Sequence, residues 1–375
     1  MTFTLQIGLP RMHKEPGERR DFLPDFVGKL ARRGAEIYLE HSYGSGMGIG
    51  EEAYHQAGGT AVHFVSREET YRQPYVLVLR YPTDDEIRLM QPGACLISMV
   101  HYPTRPQRIT FLRERGLEAI SLDSITDDVG RRLVENLRAV AWNGLEVAFQ
   151  TLQKTYPAPG LTSPERPPIQ VTVVGVGGVG TEAVAAAIRY GDPTLRQKML
   201  AVGAPGVQVT AVDYDLTGET AVMRAILSQT DILVDATQRP DAAKPVIPNE
   251  WVGWLPQHAV LLDLSVDPYI CDKNGIVQTK GIEGVPQGNL DQYVFAPNDP
   301  AYDQLPNCVN RTHRRHAVSC YSWPGIHPHA CMEVYGKQLQ PILRTLIKKG
   351  GVQGIDPNGR YFERAIARAT LSRLT

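Results

Sequence analysis

Short apolar runs, broken by polar stretches rich in glycine and proline, alternate along the chain with apolar positions spaced three and four apart. In the first third the runs are Phe3–Leu9, Glu36–Glu40, Tyr75–Leu79, Ala94–Val100 and Leu117–Ser121. Tyr75–Leu79 and Ala94–Val100 are apolar almost throughout, as strands buried on both faces require. Between the runs, Pro24–Arg33 puts Phe26, Val27 and Leu30 on one face and stops at Gly34, and Arg108–Arg115 stops at Gly116. Both read as helices. Such strand–helix alternation predicts a parallel, doubly wound α/β sheet.

The longest helical pattern runs from about Asp127 to Lys154, with Leu133, Leu137, Val140, Gly144 and Ala148 in register and Thr126 as N-cap. At about 40 Å it could run between domains. Residues 156–168 then hold five prolines in 13 residues, the composition of a linker. A second alternation follows, with strands at Val171–Val174, Gln208–Val212, Asp231–Asp235 and Ala259–Leu264 and helices at Thr181–Arg189 and Glu219–Ser228. Residues 282–306 are turn-rich and carry no assigned element. Ala330–Lys349 returns to helical spacing through Val334, Leu339, Ile342 and Leu346.

The strand Val171–Val174 runs into three glycines at G-x-G-x-x-G spacing, Gly175, Gly177 and Gly180, and then directly into a helix. A strand, a glycine turn and a helix N-terminus in that order form a dinucleotide-binding fingerprint. Gly175 permits the tight turn, Gly177 lets backbone approach a pyrophosphate, and Gly180 lets helix and strand pack closely. Gly178 and Val179 supply amides in the first helical turn, facing the phosphates with the positive end of the helix dipole. The ribose acid is Asp213 at the end of the next strand, with Asp215 as a substitute. Either favours NAD over NADP, since no Lys or Arg follows closely to hold a 2′-phosphate. The spacing is long: the acid usually comes about 20 residues after the fingerprint, and here Asp213 lies 33 past Gly180. The helix is therefore extended, or Asp192–Pro205 is an insertion. The predicted architecture is α/β: two doubly wound Rossmann-like domains with a cleft between them. Residues 131–168 form the connecting helix and linker between the two alternating halves.

Composition adds exclusions. With 375 residues, 42% hydrophobic and 21% charged, the chain has the make-up of an ordinary globular protein of two domains or more. A net charge of −1 points to neither nucleic acid nor an acidic membrane as partner. No apolar run reaches membrane-spanning length. The N-terminus lacks the pattern of a signal peptide. Five cysteines, odd in number and mostly far apart, read as free thiols of a cytoplasmic protein.

Ligands of open α/β sheets bind beyond the carboxyl ends of strands. Polar residues there are Arg80, His101 and Asp267, with the basic loop His13–Arg20 after the first strand. Arginines can fork onto a substrate carboxylate, and the histidine can move a proton near neutral pH. Cys308, His313, His316, Cys320, His327, His329 and Cys331 invite a metal reading. Yet no tight ligand pair recurs, and Arg311, Arg314 and Arg315 would repel a cation, so no metal is expected.

The chain resembles the alanine dehydrogenase and transhydrogenase N-terminal superfamily, which includes saccharopine dehydrogenases. The resemblance rests on Ile7–Pro10, Lys14-Glu15, Glu18-Arg19, Pro24, Gly34–Glu36, Glu51–Gly58, Leu79–Pro82, Val100-His101, the glycine fingerprint, Leu262–Asp267 and Ser322–Gly325. It implies a substrate domain of residues 1–130 with about 325–375 and an inserted NAD domain of residues 169–324, with Arg19 as the grip on the substrate carboxylate, His101 as catalytic acid/base and Asp267 as an active-site aspartate. Arg80, from its place at a strand end, would complete the carboxylate clamp. Ser322 and Trp323 would approach the nicotinamide. Where the family has a lysine, this chain has Arg80, which can bind a carboxylate but cannot serve as a base. The expected function is an NAD-dependent amino-acid dehydrogenase, forming a 2-oxo acid from an L-amino acid. Alternatives are an opine- or saccharopine-type coupling of an amino acid with an oxo acid, for which Arg20, Arg311, Arg314 and Arg315 could receive a second carboxylate, and a non-catalytic NAD-binding regulator. The expected partners are a small-molecule substrate and further copies of the chain in a homo-oligomer.

Overall fold

The computed structural model describes residues 4–12, 15–273 and 275–374. Phe3, His13 and Lys14 of the predicted strand and basic loop lie outside them. The chain divides into two compact units, residues 1–136 with 327–375, and residues 137–326.

The first unit is built on six parallel strands. They are β1 (Leu5–Leu9), β2 (Ala35–Glu40), β3 (Val62–Val65), β4 (Tyr75–Arg80), β5 (Cys95–Met99) and β6 (Glu118–Ser121), in the order β3-β2-β1-β4-β5-β6. Helices α1 (Pro24–Ala31), α2 (Glu51–Gly58), α3 (Arg67–Tyr71), α4 (Asp84–Arg88) and α5 (Pro106–Glu114) make the crossovers. The apolar run of β4 is buried as its sequence requires. The order reverses between β1 and β4, and the crevice beyond their carboxyl ends is where such a sheet takes a ligand.

The second unit opens with α6 (Leu137–Thr155). This helix starts ten residues later than its periodicity predicts. The Asp127 carboxylate accepts the Val129 and Arg131 amides at 3.0 and 2.8 Å and ties that stretch into a turn instead. At 19 residues, α6 is about 28 Å long. It buries Ala141, Leu145, Ala148, Phe149 and Leu152 in the core of this unit. Next come β7 (Ile169–Val174), α7 (Gly178–Ala187), α8 (Pro193–Ala201), β8 (Val207–Val212), α9 (Tyr214–Thr217), α10 (Thr220–Leu227), β9 (Ile232–Asp235), α11 (Asn249–Val252) and β10 (Val260–Asp263). A hairpin, β11 (Ile270–Asp272) with β12 (Gly275–Gln278), precedes β13 (Val294–Phe295) and β14 (His316–Ser319). The sheet order is β13-β14-β10-β9-β7-β8, parallel except for β13. Its reversal lies between β7 and β9.

The helix α8, capped by Asp192 onto the Thr194 amide at 2.7 Å, accounts for the long interval before Asp213. It is an inserted element rather than an extension of α7. The cysteines require a correction: Cys271 and Cys308, 37 residues apart, are joined in a disulfide, while Cys95, Cys320 and Cys331 are buried free thiols. The hairpin brings Cys271 to the loop of Cys308, a proximity that spacing alone does not reveal.

The chain then returns to the first unit through α12 (Pro328–Lys348) and α13 (Tyr361–Ala369), whose apolar faces join that unit's core.

Phe149 is fully buried and packs edge-on to Tyr190 at 5.2 Å. Phe149→Ala is expected to destabilise the second unit by about 3–5 kcal/mol in chemical denaturation. A loss below about 1 kcal/mol would place α6 outside the core.

Candidate active site

The glycine turn sits at the β7/β9 reversal. Gly175 has φ 86°, and a Cβ on Gly180 would lie 1.9 Å from the Gly175 carbonyl oxygen. Only glycine permits this strand–helix approach. A cavity of about 480 Å³ opens in front of it, lined by Gly175–Val179, Asp213, Ala236–Gln238, Leu264 and Ser265. The first-turn amides of α7 have no intrahelical acceptor, so they are available to phosphate oxygens. Asp213 follows β8 and is exposed on the cavity wall, while its carboxylate also accepts the Tyr214 amide at 2.9 Å. Asp215 is not part of the lining. No lysine or arginine is among the lining residues.

Behind this cavity lies a buried polar cluster that the sequence reading missed. Asp235, Asp263 and Ser319 end β9, β10 and β14 at one register level. Asp263 accepts from the Lys280 ammonium at 2.6 Å, the Ser319 hydroxyl at 2.8 Å and the Val266 amide at 2.8 Å. Asp235 accepts from the Thr237 amide and hydroxyl at 3.0 and 2.7 Å. The Ser265 hydroxyl lies 2.7 Å from Asp235 and 3.3 Å from Asp263. Burial and the adjacent Asp263 charge push the Asp235 carboxyl up. Burial also acts to raise Asp263, but the Lys280 charge and hydrogen bonds override it and hold this carboxyl down. The Ser265 hydroxyl donates to Asp235 and lies between the two carboxylates. The sequence signal was two strands, Ile232–Asp235 and Val260–Asp263, each closing on an aspartate.

Asp267 carries its own cation. Arg239 donates to it at 2.9 Å and to the Thr279 carbonyl at 2.5 Å, and Gln278 donates to it at 3.3 Å. Trp323 corrects an expectation. It is 1% exposed, its indole donates to the Asp263 carbonyl at 2.8 Å, and its ring is enclosed by the core of the unit rather than offered to a cofactor. Ser322 is half-buried beside it and is not part of the cavity lining.

In the first unit, the β1/β4 reversal gathers Arg11, Glu15, Glu18, Arg80 and Tyr81 around a small cavity. Arg80 lies 3.5 Å from Glu15. Arg19 is exposed and does not line the cavity. Its neighbour Arg20 is buried, with Nε and Nη2 forked onto Glu18 at 2.8 and 2.6 Å. Burial acts to raise the Glu18 carboxyl, and Arg20 more than reverses it.

His101 follows β5 in the left-handed region, at φ 60°. Its amide donates to Asp123 Oδ1 at 3.2 Å, and its Nδ1 lies 3.3 Å from Oδ2. The Ser121 hydroxyl donates to the same carboxylate at 2.7 Å. The Asp123 side chain is 6% exposed, that of His101 47%. Burial acts to raise the Asp123 carboxyl, but His101 and Ser121 bring it down to about 2. Asp123 was invisible in the sequence, 22 residues from His101.

Of the basic residues that could receive a second carboxylate, Arg311 donates to the Leu305 and Pro306 carbonyls, Arg314 pairs with Asp303, and Arg315 is buried among backbone carbonyls. All three serve the loops they sit in. Among the described residues, no group of three or more His, Cys, Asp or Glu is arranged to hold a metal, and no helix is long and apolar enough to cross a membrane.

Residues 8–141 match the family model of the alanine dehydrogenase/PNT N-terminal domain. The chain is similar to the alanine dehydrogenase of Bacillus subtilis, 22% identical over 369 residues, covering 94% of this chain and 88% of that protein. It is also similar to the NAD(P) transhydrogenase subunit alpha of Haemophilus influenzae, 21% identical over 381 residues, covering 93% of this chain and 68% of that protein. Among solved structures, an L-alanine dehydrogenase superposes with a TM-score of 0.72 at 19% identity, covering 98% of this chain and 94% of that one. A transhydrogenase from Sinorhizobium meliloti superposes with a TM-score of 0.64, also at 19% identity, covering 92% and 96%. These likenesses show the fold.

The Asp123 carboxyl, held at about 2 against an ordinary 3.8, contributes stability that is complete above the ordinary value and lost as pH falls toward 2. Wild type should exceed Asp123→Asn by roughly 2 kcal/mol at neutral pH. The gap should close on acidification in paired pH-dependent melts. A gap that stays constant to pH of about 2 would remove the ionised Asp123 from the account.

Proposed function

The chain belongs to the alanine dehydrogenase and transhydrogenase superfamily, and from that premise we propose that it is an NAD-dependent amino-acid dehydrogenase, converting an L-amino acid and water reversibly into a 2-oxo acid and ammonia. The observation that carries the reading is the glycine cradle at the β7/β9 reversal. A Cβ at Gly180 would strike the Gly175 carbonyl oxygen and break the strand–helix turn, and the wall of the cavity in front offers the Asp213 carboxylate and no cation. That pairing suits a ribose hydroxyl and disfavours a 2′-phosphate. When bound, the nicotinamide supplies the hydride acceptor for the oxidative direction and the donor for the reverse.

The residues of the chain do the rest. Gly177, Gly178, Val179 and Gly180 hold the pyrophosphate through backbone amides. Arg80 binds the substrate carboxylate, displacing Glu15 from its guanidinium. Arg19 approaches from the solvent side, and Arg20 stiffens the loop through Glu18. Asp123 fixes Nδ1 of His101, which leaves Nε2 to exchange a proton with the substrate nitrogen or the attacking water. Asp267, held by Arg239, is the water-orienting acid of the second unit. The coupling alternative has the weaker support, because Arg20 is forked onto buried Glu18 and Arg311, Arg314 and Arg315 bind the loops around them.

NADH oxidation against a panel of 2-oxo acids should proceed with ammonia and exceed the rate with amino acids as the amine. Activity only with an amino acid would replace this reading by the coupling reaction, and NADPH preferred to NADH would sink the role of Asp213. His101→Ala should lower kcat by about 10²–10⁴ with NADH binding kept. Unchanged turnover would remove His101 from the chemistry.

A further inference from the structure

We propose that Lys280 is a positioning residue of the dinucleotide site: its ion pair with Asp263 fixes the loop Leu264–Asp267, which presents Ser265 to the cofactor cavity. The inference rests on reading that cavity as the nucleotide site. Lys280 is 0% exposed, its ammonium held between Asp263 at 2.6 Å and Gln287 at 2.7 Å. Lysine is almost never buried in this way unless it is paired. A buried ion pair is weak evidence for stability, since well-packed apolar residues do as well or better. A reason for this one has to come from what the carboxylate holds.

The second oxygen of Asp263 accepts the Val266 amide at 2.8 Å. Val266 stands at φ 56°, a conformation that a β-branched residue avoids. Strain of this sort persists only where the surroundings over-determine it, and it gathers at functional sites. An ionised carboxylate is a strong acceptor for that amide, and the ammonium keeps it ionised. The residues on either side are tied as well. Ser265, in the cavity wall, bonds Asp235 at 2.7 Å, and Asp267 bonds Arg239 at 2.9 Å. Arg239 in turn reaches the carbonyl of Thr279, the residue before Lys280. Thr279 and Lys280 thus tie down both ends of the loop, one through Arg239 and the other through Asp263. Without the ammonium, the carboxylate loses its fixed orientation, Val266 relaxes to negative φ, and Ser265 leaves the cavity wall.

Lys280→Met alone leaves a buried carboxylate without its cation and is expected to fold poorly. The deciding variant is therefore Asp263→Leu/Lys280→Met, which replaces the pair by apolar groups. Three quantities are read on the full chain: the unfolding midpoint, the NADH Kd from its fluorescence, and hydrogen exchange at the Val266 amide. The double variant should keep the wild-type unfolding midpoint, bind NADH about tenfold more weakly or worse, and exchange faster at Val266. An NADH Kd within about twofold of wild type would overturn the proposal, whatever the unfolding midpoint does. So would unchanged protection of Val266. If wild type itself binds no NADH, the nucleotide reading falls separately, and exchange at Val266 still decides whether Lys280 anchors the loop.

Discussion

A backbone amide captured by a buried carboxylate, just past the end of a parallel strand, is the interaction on which both units rely. In the first unit, His101 leaves β5 at φ 60° and its amide is held by Asp123 at 3.2 Å. In the second, Val266 leaves β10 at φ 56° and its amide is held by Asp263 at 2.8 Å. Each carboxylate is kept ionised against the pull of burial, by His101 and the Ser121 hydroxyl in one case and by Lys280 and the Ser319 hydroxyl in the other. The left-handed turn swings the next residues out of the strand direction to the carboxyl edge of the sheet, where ligands of such folds bind. The turn is unfavourable by itself and exists because the carboxylate holds it.

The parallel sheets decide where these turns can stand. Strands buried on both faces leave only their ends for polar chemistry. The order of each sheet opens a crevice where its direction reverses. In the first unit the reversal between β1 and β4 gathers Arg11, Glu15, Glu18 and Arg80. In the second the reversal between β7 and β9 gathers the glycine turn, Thr237 and Asp213. Charge follows the same division: one crevice is lined by arginines and their carboxylate partners, the other by backbone amides and a single exposed acid.

Much of the fold was legible because its signals are local. The buried runs of β4, β9 and β10, the glycine turn and α12 all follow from apolar spacing and punctuation over fewer than about 20 residues. The strand His316–Ser319 has no such signal, because half of its residues are polar and it follows a run of charges. It forms because β10 offers it a parallel partner, a reason that lies more than 50 residues away. The turn at Asp127 looks helical in sequence for the opposite reason: apolar spacing continues through it, while one side chain captures two local amides. At the site, His101, Asp267 and Arg80 stood out as polar residues ending apolar runs. Asp123, Arg239 and Lys280 did not, since a partner has no signature of its own until the chain brings it near.

By itself the sequence determined the α/β class, the two alternating halves and the glycine turn between β7 and α7. Each of these depends on residue type at short spacing, and glycine, apolar periodicity and strand-end polarity act locally. Only the tertiary structure decided which of two adjacent arginines is buried, which carboxylate holds His101, and that Trp323 belongs to the core. It alone joined Cys271 to Cys308 and set Lys280 against Asp263. Those are pairings between distant residues. Their energies depend on distance and burial, which exist only once the sheets have formed.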